Sequence, residues 1–285
     1  MTNQGIELEV GYKLSVDKVN LSFLANASYV KNEIKNLGNQ TGYIDKESLP
    51  TLGTVSRNQN GYPIGYFFGY KAIGVFQTQE EIDNYISPAT GKPIQPNAVP
   101  GDTKFEDLNG DGVISDDNED RTMIGKPNPD WIVGLTVAAD WNGFDLSAFF
   151  QGSFGADVFD ALRRYELAAV NYTSDALERW TGPGTSNSMP RIVLGDTPKN
   201  FRPSTLLVHD ASFLRLRNLQ VGYTLPAQLT RKAYIQRLRF YASFDNLLTI
   251  TGYKGMDPEI GSTMGIDKGV YPQARVYTFG LNLTF

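Results

Sequence analysis

Residues 131–150 read WIVGLTVAADWNGFDLSAFF, and the way their side chains alternate decides the fold. Trp131, Val133, Leu135, Val137, Ala139 and Trp141 make one face of a period-two run. After Asn142-Gly143, the residues Phe144, Leu146, Ala148 and Phe150 make the next. Period two marks an extended strand with one apolar face, and Asn-Gly is a strong hairpin signal because both central residues of a tight two-residue turn need positive φ. The same alternation recurs outward in both directions. It carries Ile6, Leu8, Val10, Tyr12 and Leu14, then Leu21, Phe23, Ala25, Ala27 and Tyr29. It returns in Leu238, Phe240, Ala242 and Phe244, and again in Tyr277, Phe279, Leu281, Leu283 and Phe285. Within Phe213–Thr224 the parity breaks between Leu216 and Leu219, which predicts a β-bulge near Arg217–Asn218. The chain is therefore all-β, with seven long strands.

Length separates two ways of using such strands. Strands of soluble domains usually run about five or six residues, whereas these run about ten, the length that crosses a bilayer at a tilt. Tyr12, Tyr29, Trp131, Trp141, Tyr277 and Phe285 sit towards strand ends, where a membrane barrel places its interfacial aromatics. The links alternate strictly. Ser15–Lys18, Asn142-Gly143 and Pro226–Arg237 are short, while residues 31–130, 153–212 and 251–275 are long, so every short link falls on one side of the sheet. Placing residues 66–76 (YFFGYKAIGVF) within the first long excursion, as loop β-structure, keeps this parity. Residues 157–180 have helix-like spacing and predict helices inside the second. Residues 5–14 already form a strand pattern with no signal-like segment before them, which predicts an open piece of a larger barrel. A soluble β-sandwich also alternates, because one face of each sheet is solvated, and it stays open as the alternative.

Composition narrows the function. Lys and Arg number 26 against 31 Asp and Glu, giving a net charge of −5 with no basic cluster, so a nucleic-acid partner is not expected. The absence of cysteine removes thiol chemistry, and the single histidine, His209, reads as a loop hydrogen-bonder. No carboxylate pair is marked out by its context, so no enzyme is expected. Residues 107–115 (DLNGDGVIS) carry oxygen ligands at the first, third and fifth positions and glycine at the sixth. A carbonyl at the seventh position completes the first half of a calcium loop. The expected ligands are Asp107, Asn109, Asp111 and the Val113 carbonyl, with Asp117 and Asp120 closing the shell, since the twelfth position is Asn118 rather than glutamate. Tyr66, Phe67, Phe68, Tyr70 and Trp180 could stack on sugars or simply pack loops.

Seven segments together resemble the SusC/RagA family of TonB-dependent outer-membrane transporters of Bacteroidota. They are GIEL (5–8), GYPIGYFFGYK (61–71), GVFQ (74–77), DLNGDGVI (107–114), RTMIGKPNPD (121–130), SFLRLRN (212–218) and YKGMDPE (253–259). Taken in order they span nearly the whole chain. Residues 115–120 look about two longer than the family pattern, which bears on the closing calcium ligand. The resemblance implies the C-terminal portion of a plugged transmembrane antiparallel β-barrel of about twenty-two strands. It implies location in the outer membrane, in contact with its lipid. It also implies import of oligosaccharides, glycans or peptides beneath a SusD-like surface lipoprotein, powered through TonB by a part outside this sequence. The terminal row Tyr277, Phe279, Leu281, Leu283 and Phe285 would be read by the barrel assembly machinery. The alternative from a different class is a secreted calcium-dependent β-sandwich that binds or trims glycans.

Overall fold

Seven strands carry the alternating pattern: β1 (Thr2–Val16), β2 (Val19–Glu33), β3 (Trp131–Trp141), β4 (Phe144–Phe154), β5 (Phe213–Thr224), β6 (Arg237–Thr251) and β7 (Val276–Thr284). The computed structural model from which they are described covers residues 1–116, 118–260 and 264–285. The strands form one antiparallel sheet in chain order. Local chemistry sets that order. At the β3–β4 turn Asn142 has φ 47° and Gly143 φ 86°, the two positive values a tight hairpin requires. Among the described residues β1 pairs only with β2 and β7 only with β6, so the sheet is open and these two edges do not pair with each other.

Register turns seven separate alternations into one surface. Directly paired residues of an antiparallel sheet share a face. One row runs Leu8, Ala27, Val133, Gly152, Leu214, Ile250. Another runs Tyr12, Phe23, Val137, Ala148, Leu219, Phe244, Tyr277. Among the described residues no second sheet covers this face: Ile6 is 73% exposed, Phe279 76% and Leu281 58%. A sandwich buries that face against a partner sheet about 10 Å away, so the sandwich alternative is overturned. Trp131 and Trp141 stand ten residues apart on β3. That is about 33 Å along the strand, or about 25 Å along the membrane normal at a tilt near 40°, which matches the apolar band of a membrane barrel. Their neighbours complete two aromatic groups. Tyr29 lies 5.0 Å from Trp131, and the Phe144 ring lies 6.2 Å from Trp141 and 4.4 Å from Tyr223.

The bulge falls where the parity break predicts. Register shifts between Leu216 and Asn218 against both neighbouring strands: against β4 Arg217 is the extra residue, whereas against β6 Asn246 and Leu247 together stand opposite Arg217. It lets Arg217 and Asn218 both bond on the polar side while Leu214, Leu216, Leu219 and Val221 stay on the apolar row. Without it, either Arg217 or the whole second half of β5 would face lipid.

The connections 34–130, 155–212 and 252–275 lie on one side of the sheet and pack into a common outer layer. Leu49, Val55, Phe67, Phe159, Ala161, Leu207 and Ile266 form its main core, drawn from all three connections. Residues Tyr66–Tyr70 pair with Arg121–Gly125 and Ser56–Gln59, and Ala72–Val75 pairs with Thr103–Phe105. Residues 66–76 are thus loop β-structure, as parity requires. The helices expected over residues 157–180 are not there. Asp157–Asp160 is a strand between Val208–Asp210 and Ile266–Asp267, and the only helical turn in that range is the 3₁₀ segment Ser174–Glu178. Val158 and Phe159 are both buried, one on each side of a strand, so burial on two faces overrides the helix-like spacing. One short α-helix, Gln79–Asp83, lies in the first connection, with the Thr78 side chain accepting the Glu81 N–H at its N-terminus.

Candidate functional site

The face opposite the lipid row is polar and carries two sets of paired charges. Arg239 forks onto Asp145 with Nε–Oδ1 2.8 Å and Nη2–Oδ2 2.5 Å, and its Nη2 also donates to Gln220 at 3.0 Å. A Cβ on Gly222 would meet that guanidinium at 2.4 Å, so only glycine leaves room for the fork. Nearer the outer layer, Arg215 donates to Thr249 at 2.9 Å, Asp257 at 2.5 Å and Glu259 at 3.1 Å. Arg217 holds both Glu259 oxygens at 2.6 Å and Gln151 at 2.7 Å. Two segments that carry the family resemblance, SFLRLRN and YKGMDPE, therefore grip each other and fold the third connection onto the polar face. Sequence reasoning missed this clamp. The signal was available: two arginines inside a wall strand need carboxylates when buried.

The outer layer holds a second charged arrangement. The Arg57 guanidinium lies 4.1 Å from the Tyr43 ring centre and 3.6 Å from Phe68, and Arg121 lies 4.3 Å from Phe68 and 5.6 Å from Tyr70. Arg202 follows at 4.8 Å from Tyr70 and 4.9 Å from Phe105. Three cations thus interleave with four rings, a geometry in which each guanidinium meets the electron-rich ring face. Burial pulls Arg121 down to about 10. It pushes the Tyr66 hydroxyl up, and it raises Asp196 to about 6 against the two backbone N–H groups that carboxylate accepts. This ladder accounts for the aromatic run in GYPIGYFFGYK. Phe68 and Tyr70 are buried between guanidinium groups, Phe67 is in the core, and Tyr66 stacks on Tyr62. Trp180 packs on Gly101 and donates to Gln77. The four residues of the run are packing residues, and no sugar can stack on rings already covered.

At the calcium-like loop, Asp107 accepts from Gly110 at 2.8 Å and Gly112 at 2.9 Å, Asn109 from Asp111 at 3.0 Å, and Asp111 from Val113 at 2.8 Å. These bonds curl the loop with its side-chain oxygens turned inward on their own backbone. Asp120, fully buried, accepts from Leu108 and Ser115 and so ties the two arms together. Asp117 lies outside the described residues. Among the described residues no three His, Cys, Asp or Glu side chains gather as a metal site. His209 lies in the short strand Val208–Asp210, 3.3 Å from Arg163 and 3.6 Å from Asp160. On β7, Tyr277, Phe279, Leu281 and Leu283 continue the apolar rows of β6, and Phe285 follows the strand exposed.

No protein-family model matches the chain. It is 34% identical to TonB-dependent receptor P3 of Formosa agariphila over 80% of its own length and 23% of that receptor. It is 30% identical to TonB-dependent receptor SusC of Bacteroides thetaiotaomicron over 100% of its length and 26% of that receptor. Among solved structures, the RagAB peptide transporter superposes with a TM-score of 0.75 and 26% identity, over 99% of this chain and 29% of that one. The chain thus spans between 23% and 30% of the length of the curated relatives it matches.

Proposed function

This chain is a segment of β-barrel of the SusC/RagA type of TonB-dependent outer-membrane receptor, and on that premise we propose that it supplies wall and outer loops to an importer of oligosaccharides or peptides. A SusD-like lipoprotein would cover the outer layer, and TonB would act through parts of the receptor outside this chain. The observation that carries this reading is the register, which joins seven alternating strands into one apolar face and leaves charged pairs on the other. Energised uptake is the test. Cells lacking the receptor should lose uptake of one labelled member of an oligosaccharide and oligopeptide panel, regain it on complementation, and lose it again with a protonophore. Uptake of every panel member without the receptor, or uptake indifferent to the protonophore, contradicts the reading.

A structural calcium ion at residues 107–113 belongs to the same proposal. Asp107, Asn109, Asp111 and the Val113 carbonyl offer oxygen donors only, the set a hard cation takes. The curled loop supports the reading, because little ordering is left to be done on binding. Calorimetry on the full-length receptor should show calcium uptake in the range of about 0.1–1 mM typical of extracellular modules. Asp107→Ala with Asp111→Ala should remove it while leaving heat-modifiable migration unchanged. No heat of binding at millimolar calcium removes the claim.

A further inference from the structure

Of the three guanidinium groups in the ladder, Arg57 pairs with Asp45 at 2.7 Å and Arg202 more loosely with Asp116 at 3.8 Å. Arg121 hydrogen-bonds to Asn118 Oδ1 and to the Thr54 and Phe68 carbonyls, all neutral, and its Nε is buried without a partner. Among the described residues no carboxylate forms a salt bridge with it. Arg202 Nη1 is also buried without a hydrogen bond, 3.8 Å from Asp116 Oδ1. Arg121, Arg202 and Lys199 line one cleft of about 570 Å³ between the first and second connections, with Thr51, Thr54 and Asn118. Asp116, Glu166 and Asp196 also line it, each already held by a partner. Glu166 pairs with Arg164, Asp196 accepts from Asn200 and Phe201, and Asp116 pairs with Lys199 at the mouth. A charge withdrawn from water without a counter-charge is costly, and guanidinium forks match carboxylate, sulfate and phosphate geometry.

We propose that this cleft binds an oxyanion, the carboxylate, sulfate or phosphate group of a ligand that reaches the outer layer. Arg121 supplies the uncompensated charge, Arg202 the second fork and Lys199 the entry. The cleft borders the calcium-like loop through Asp116 and Asn118 but shares none of its expected ligands, and binding there is read on purified protein, so its failure leaves the transport reading standing and the reverse also holds.

The experiment uses full-length receptor in uncharged detergent, titrated with sodium sulfate, phosphate or acetate, with sodium chloride at equal ionic strength as reference. At least one oxyanion should raise the unfolding temperature above the chloride curve at millimolar concentration, and which one does so assigns the class. Arg121→Gln should weaken that response at least tenfold. Because Arg121 sits inside the ladder and its loss could unfold the layer, Lys199→Gln, at an exposed position, is the second variant and should weaken it several-fold. Oxyanion curves that coincide with chloride, or a response unchanged in a folded variant of either kind, would overturn the proposal.

Discussion

Phe279→Arg in the full-length receptor is expected to lower folding stability by roughly 2–4 kcal/mol, the cost of a cation on the lipid face near mid-membrane. Phe279 lies mid-strand in β7 opposite Ala242, on the apolar row, and is 76% exposed on the sheet described. Thr278→Arg, one residue away, should change stability by less than about 1 kcal/mol, because Thr278 pairs with Ser243 on the polar face. Folded and unfolded bands of detergent-solubilised membranes, followed against temperature or urea, give the comparison. Equal losses at both positions would mean that the two faces are not solvated differently.

The second large effect is expected at the clamp. Arg215 is 1% exposed and Asp257 7%, so Arg215→Ala strands a buried carboxylate. The expected loss is about 3–5 kcal/mol, as for other buried pairs broken from one side. Arg215→Met combined with Asp257→Leu should recover most of it, since apolar replacements of similar size remove the desolvation cost along with the attraction. Limited proteolysis supplies an independent readout. Cleavage within residues 252–275 should increase in Arg215→Ala and return towards the parent level in the double variant. If the single variant unfolds at the parent temperature and its third connection stays protected, the ion pairs are not what holds that segment to the wall.

How much of this was legible in the sequence depends on the range of the interaction. β1 to β7 were readable because a two-residue period is a local signal, and the bulge was readable because one extra residue flips the parity of everything after it. The strands extend a few residues beyond the expected ends, β2 to Glu33 and β4 to Phe154, since continued pairing rather than hydrophobicity decides where they stop. The segment 157–180 misled because Val158 and Phe159 are buried by chain some fifty and a hundred residues away, at Val208–Asp210 and Ile266–Asp267, which no local window contains. The ladder was hidden for the same reason: its arginines, at 57, 121 and 202, come from two different connections. The clamp was nearer to hand. Arg215 and Arg217 stand on a strand whose other face is apolar, and Asp257 and Glu259 are the first acidic residues after β6.

The central claim is that one face of the sheet meets lipid and the other meets water, and labelling of single cysteines tests it most directly. This segment has no cysteine of its own, so in a full-length receptor cleared of others each substitution reports alone. Cysteines placed at 277 through 284 and at 131 through 141 would be challenged, in intact outer-membrane vesicles, with a water-soluble maleimide too polar to enter the bilayer. The account predicts a two-residue rhythm: labelling at Thr278, Asn282, Thr136 and Ala138, and protection at Phe279, Leu281, Leu135 and Val137. Uniform labelling along both strands, or the opposite phase, would contradict it.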